Sequence, residues 1–222
     1  MNEVISAFDK FVAELAIKHG KFHRVCEQKI PKEGVICVCP DCDQADDHGN
    51  FFSKKGFKRR FHVGGPGGPV TLAMNSPAAS LDRVFADFVE HSLEKAGYPL
   101  VGRLTKPIAK FVAKPIRVDI VGFLHVFVAL KAKNMKNIAL VPHVPCTMAS
   151  FYHLDLISQL RLTTMTKMQT KYLFSGVKVI CMVHIDWGGG CKETWQFSTK
   201  EISGWIKDNE SIFAEAKARL AA

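Results

Sequence analysis

The sequence predicts one α/β domain over residues 1–222, a parallel-core β-sheet flanked by helices and carrying an inserted helical segment. Three observations carry that reading. Val35 to Cys39 and Ile138 to Val141 are short, fully apolar runs, as expected of strands buried on both faces of a parallel sheet. The second run follows a helical pattern over 119–132 (Ile120, Val121, Leu124, Phe127, Val128, Leu130), and a helix-then-strand crossover is typical of parallel sheets. Val177 to Ile185 is the clearest strand in the chain and ends in Asp186-Trp187 and the turn Gly188-Gly-Gly190.

Taken in order, residues 3–18 place Val4, Ile5, Phe8, Phe11, Val12, Leu15 and Ala16 on one side of a helix, with charges between them and Gly20 to end it. This N-terminal helix, within residues 1–20, must bury its apolar face on its own domain or on a partner subunit. Lys32-Glu-Gly34 turns the chain into the first apolar run, which Pro40 stops. Residues 41–50 are polar and acidic and read as a loop or short helix. Arg60 to Val63 reads as a second strand. It runs into Gly64-Gly-Pro-Gly-Gly-Pro69, where backbone must turn sharply or pass close to something. The spacing is not that of a dinucleotide fingerprint.

Residues 74–117 read as the helical insertion. A helix from Ser80 is followed by a stretch whose Pro99, Pro107 and Pro115 leave room only for short helices. Beyond Cys146 the pattern predicts a helix over 149–173, and Phe197 to Leu220 reads as a capped helical tail starting at Ser198 or Thr199.

A hydrophobic share of 47% with 23% charged residues is ordinary for a folded protein and excludes a disordered chain. The formal charge of +9 is either a solvated basic surface or an attraction for anions, from bicarbonate to nucleic acid. One dense basic cluster, Lys54, Lys55, Lys58, Arg59 and Arg60, lies among Phe51, Phe52, Phe57 and Phe61, which can stack on bases or serve as core. Met1-Asn-Glu-Val-Ile5 shows no signal-peptide pattern, and Val118 to Leu130 is too short and too polar at His125 to span a membrane. A cytoplasmic setting follows, where the seven cysteines serve as ligands or core rather than in disulfides.

Two strand ends carry the chemistry. Asn137-Ile-Ala-Leu-Val-Pro-His-Val-Pro-Cys146 leaves its strand on His143 and Cys146, two good zinc ligands three residues apart. Val35-Ile-Cys-Val-Cys-Pro-Asp-Cys-Asp43 leaves its strand on Cys39 and Asp41. If the two strands are parallel neighbours, their carboxyl ends share one sheet edge and the four groups converge into a set that Zn2+ accepts. A bland alternative makes Cys37 and Cys39 small core residues. Another makes Cys39-Pro-Asp-Cys42 half of a zinc knuckle.

Val35 to Asp41, Phe61-His-Val-Gly-Gly-Pro-Gly-Gly-Pro-Val70 and Lys136 to Cys146 occur in that order and together resemble the β-class carbonic anhydrases, whose motifs are Cys-x-Asp-x-Arg, Arg-Asn-Ala-Gly-Gly and His-x-x-Cys-Gly. The strand from Gly176 to Asp186 is similar to that family's last core strand, so the resemblance touches roughly residues 34–73 and 119–190. It implies a β-carbonic-anhydrase-like fold, zinc on Cys39, His143 and Cys146, and Asp41 either as a fourth ligand or as the catalytic residue orienting the zinc-bound hydroxide. It also implies CO2 and bicarbonate, or COS or CS2, as small-molecule partners, and a homodimer or larger homo-oligomer. Four departures stand out: Asp43 where the family has arginine, Thr147 where it has glycine, His62-Val63 inside the glycine-rich motif, and a stretch between Thr71 and Arg117 longer than the family usually places there. Without that arginine, Asp41 has no evident cation to keep it off the metal, and a closed four-ligand site is a poor catalyst.

Three readings follow. The first is a zinc lyase or hydrolase of carbonic-anhydrase type. The second is a degenerate relative with a structural zinc, acting as a binding protein, with nucleic acid held by residues 54–61. The third is an unrelated α/β domain. His48 beside Asp46 and Asp47 is either a proton shuttle or a solvated loop residue, whereas His153 and His184 read as satisfied surface or core groups.

Overall fold

The computed structural model describes residues 2–25, 31–39, 59–64, 68–73, 126–131 and 133–221, together with positions 51, 54 and 76. The helix 80–97, the prolines of 98–117, Asp41, Cys42 and His48 lie outside the described residues.

Helix α1 (Asn2–Lys18) comes first, then strand β1 (Phe22–Arg24), β2 (Glu33–Val38) and β3 (Arg59–Gly64). Helix α2 (Pro69–Leu72) precedes a helical stretch at 126–131, and β4 (Asn137–Val141) and β5 (His143–Val144) follow. The remainder is α3 (Thr147–Phe151), α4 (Leu156–Leu173), β6 (Lys178–Gly188), β7 (Cys191–Phe197), α5 (Thr199–Asp208) and α6 (Glu210–Ala221).

The strands form one sheet in the order β1-β7-β6-β4-β2-β3, and β5 extends the β4 side of the ladder along β6. The four strands β3, β2, β4 and β6 run parallel, while β7 and β1 add an antiparallel edge on the β6 side. The expected neighbours are therefore paired: Val35 opposes Ile138 and Val38 opposes Val141. After β2 the chain goes outward to β3 on one side, then returns to β4 on the other. The carboxyl ends of β2 and β4 thus flank the point where strand order reverses, the usual place for a ligand in an open α/β sheet.

One sheet face buries Val35, Cys37, Ile138, Leu140, Cys181, Val183 and Ile185 against helices that contribute Phe8 and Val12, Leu156 and Leu160, Ile202 and Trp205. The N-terminal helix therefore spends its apolar face on its own domain. The other face carries Ile36, Val38, Ala139, Val141, Ile180 and Met182, with Val25 and Phe51 packed on it. No helix among the described residues is long and apolar enough to cross a membrane.

Four expectations are corrected. The helix expected over 149–173 is two helices: His153 adopts a φ of 54°, and Asp155 caps α4 by accepting from the Ser158 N–H at 2.8 Å. The tail is also two helices, divided at Asn209, whose N–H and Nδ2 both donate to the Trp205 carbonyl. Strand β7 was not expected, although Gly188 to Gly190, all at positive φ, close a hairpin between it and β6. In the stretch 126–131, Val126, Ala129 and Leu130 are buried while Phe127 and Val128 are exposed, so the buried face lies to one side of that expected.

Candidate metal centre

Cys39 follows directly on β2, His143 opens β5 and Cys146 precedes α3, so two parallel strands with a shared edge deliver all three. Their ligand atoms lie within 4.8 Å of one another, and the residues are 3%, 1% and 2% exposed. The Cys146 and Cys39 sulfurs stand 4.0 Å apart, and neither is in a disulfide. A disulfide needs about 2.05 Å. Two sulfurs each about 2.3 Å from a shared tetrahedral ion stand about 3.8 Å apart, which is close to what is seen. Two thiols and an imidazole are also a donor set suited to zinc. The three side chains could hold a metal ion, and this is the one such group among the described residues.

The surroundings are apolar. Val70, Ala73, Ala149, Leu154 and Leu162 pack with Cys39 and Cys146. Backbone from the glycine-rich turn closes over β2, as that run of glycines predicts. Gly68 has φ 56°, and a Cβ there would lie 2.6 Å from the Cys39 nitrogen. Thr166 of α4 anchors the next residue by donating to the Pro69 carbonyl at 2.8 Å. Gly68→Ala is therefore expected to cost about 2–4 kcal/mol, from strained backbone and forced displacement of the Cys39 segment. Urea denaturation measures it, and a loss below about 1 kcal/mol would refute the close approach.

The other cysteines divide cleanly. Cys37, two residues before Cys39, points into the helix-covered core, and burial pushes its thiol up to about 12. Burial does the same to Cys181, although Lys167 and Lys171 pull the other way. Both stay protonated and act as core. Cys191 is exposed on the hairpin. The bland reading of Cys37 holds, whereas Cys39 sits beside Cys146. The end of β2 explains this: the strand stops at Val38, so Cys39 leaves the alternation that fixes Cys37 in the core and emerges at the sheet edge.

One polar row was missed. His143 and His184 occupy matched positions on β5 and β6, and Thr194 on β7 is the next in line. Val144 and Ile185, one residue on, both face the helix-covered core, so the two histidines face the other way. His184 is buried, and its Nδ1 lies 2.8 Å from the Thr194 hydroxyl. The signal was the polar position in Val183-His-Ile185 on an apolar strand. His153 sits in the exposed turn before α4, away from the helix where it was expected. Trp195 and Trp205 are core; the Trp205 indole donates to His19 at 3.0 Å. Of the basic cluster, Lys54 is exposed.

No family model, curated protein or solved structure matches this chain.

Proposed function

We propose that Cys39, His143 and Cys146 hold a zinc ion and that the chain is a zinc-dependent lyase of carbonic-anhydrase type, acting on CO2 or on COS or CS2, with a second copy of itself as assembly partner. The observation that supports this is the convergence of three buried ligands at the strand-order reversal between β2 and β4. Such convergence is the arrangement that the order of the three resembling motifs implies.

Zinc in such a set lowers the pKa of a coordinated water to about 7 and so supplies a nucleophile at neutral pH. The chain's own contribution is threefold. Two thiolates balance the charge of a divalent ion. The apolar packing around Cys39 and Cys146 keeps water from the ligand side and strengthens electrostatics there. Cys146 also borders a solvent-facing groove, which leaves a way in for a small molecule. A three-ligand set has one position left, for water or for Asp41.

The test is zinc content with CO2 hydration measured on the same samples, and COS and CS2 as further substrates. Zinc near one ion per chain with turnover above buffer is the expected result. Zinc without turnover of any of the three would move the assignment to a structural ion in an interaction protein, the reading that Asp43 favours. No zinc would remove both.

A further inference from the structure

The groove beside the metal centre has a volume of about 510 Å³ and is lined by Glu3, Ser6, Ala7 and Lys10 of α1 and by Cys146 and Thr147 across from them, among others. That volume falls in the range of about 300–1,000 Å³ that organic ligands occupy. A water molecule takes about 30 Å³, and a triatomic such as CO2 leaves most of such a groove unused. Its walls come from elements far apart in the chain, and its one described point of contact with the metal set is Cys146.

The charges along it are ordered. Glu3 and Lys10 are two helical turns apart on α1, about 10.5 Å along the axis, so an anion beside Lys10 is clear of Glu3. Lys10 is held in place: its Nζ donates to the Trp187 carbonyl at 2.9 Å, beside the turn of the β6–β7 hairpin. An ammonium has three donors, so two remain for a ligand. The overall charge of +9 draws anions toward the molecule.

We infer that this groove is the ligand seat of the metal centre and takes a short-chain carboxylate carrying a second, metal-binding donor group, with its carboxylate on Lys10. The inference rests on the proposed metal site, not on the three-atom substrates, and gives that site a ligand class of its own. Binding energy from the carboxylate end would then position the donor end at the metal, a use of remote contacts that a three-atom substrate cannot offer.

The test uses cobalt(II)-loaded protein, because thiolate coordination to cobalt gives a charge-transfer absorption that reports binding without turnover. The probes are 3-mercaptopropionate, 4-mercaptobutyrate and 6-mercaptohexanoate, each against its neutral amide. At least one acid is expected to bind about tenfold more tightly than its amide, as a charge-assisted contact provides. Lys10→Met should erase that preference and Lys10→Arg should keep it. Ala7→Trp, which fills the groove, should weaken every thiol while leaving cobalt content and the cobalt spectrum of the unliganded protein intact. Equal affinities of acid and amide at every chain length, or an Ala7→Trp protein that binds the thiols normally, would overturn the inference with the metal site standing. Failure of the protein to take up cobalt would overturn both.

Discussion

Cys146→Ser should strip the metal from this protein: zinc falls from about one ion per chain to background, with affinity lowered by at least about a hundredfold. A serine hydroxyl is not ionised near neutral pH and is a harder donor than a thiolate. The substitution leaves Cys39 and His143, two ligands where zinc sites have three or more protein donors. Stability should follow the metal. An ion present at a hundred times its dissociation constant contributes about 2.7 kcal/mol to a native state that alone binds it, and the variant loses that term. The matching control is Cys181→Ser, which removes a sulfur that burial keeps protonated in the core of β6. It should cost about 1–3 kcal/mol for burying a hydroxyl and keep its zinc. Metal analysis and thermal melts on both variants decide the matter. A Cys146→Ser protein with a full complement of zinc would sink the assignment of this site.

How much of this could be read from residues alone follows from what each element needs. The central strands were legible because both faces are buried, so Val35 to Val38 and Ile138 to Val141 are apolar without interruption. Pairing of β2 with β4 was a condition for the metal set, and the register meets it. The edge strand β7 was not legible in the same way. It alternates buried Trp195 and Phe197 with half-exposed neighbours, a half-buried antiparallel pattern, and the glycine turn before it was read only as an ending. Helix α4 hid its buried face for a different reason. Gln159, Thr163, Thr166 and Thr170 are buried along with Leu156, Leu160 and Leu162, and the Thr163 and Thr170 hydroxyls donate to carbonyls one turn back. Buried threonines that spend their hydroxyls on backbone, Thr163 and Thr170 on their own helix and Thr166 on Pro69, look like a solvent face to any pattern of hydrophobicity. Asp155 was the missed punctuation, since a carboxylate three residues before Ser158 is an N-cap signal. The metal ligands were legible because zinc demands particular atoms. The groove was not, because its two walls come from helix α1 and the β5–α3 turn, whose sequences say nothing of each other.

The acid–base balance of the same region yields the second large effect. Asp9 on α1 is 3% exposed and accepts from the Leu156 N–H, at the start of α4. Burial pushes its carboxyl up to about 7; the nearby Asp155 adds to the rise, while the Leu156 hydrogen bond and Lys217 oppose it. Asp155 moves the other way. Burial works against its charge, but the Lys217 ammonium at 2.8 Å and the Ser158 contact outweigh burial and hold it below the ordinary range. Thus α1, α4 and α6 meet at one buried acid, one ionised acid and one lysine. The unfolded chain releases the Asp9 proton near pH 4, whereas the folded chain keeps it until about pH 7. Between those values the native state binds more protons, so stability must fall as pH rises. The full difference is about 4 kcal/mol, from roughly three pKa units at 1.36 kcal/mol each. Asp155 acts below that window: its contribution is present above pH 4 and lost as pH falls further. Stability should therefore be greatest near pH 4 as far as these two groups decide it. Asp9→Asn keeps an oxygen to accept from Leu156 and carries no charge at any pH. It should match wild type near pH 4, exceed it by about 1.5–2 kcal/mol at pH 5 and by about 4 kcal/mol at pH 8, in urea titrations at matched metal content. If the two proteins instead lose stability in parallel from pH 5 to 8, Asp9 ionises in the fold without penalty. The junction of the three helices would then be wet where the structure makes it dry.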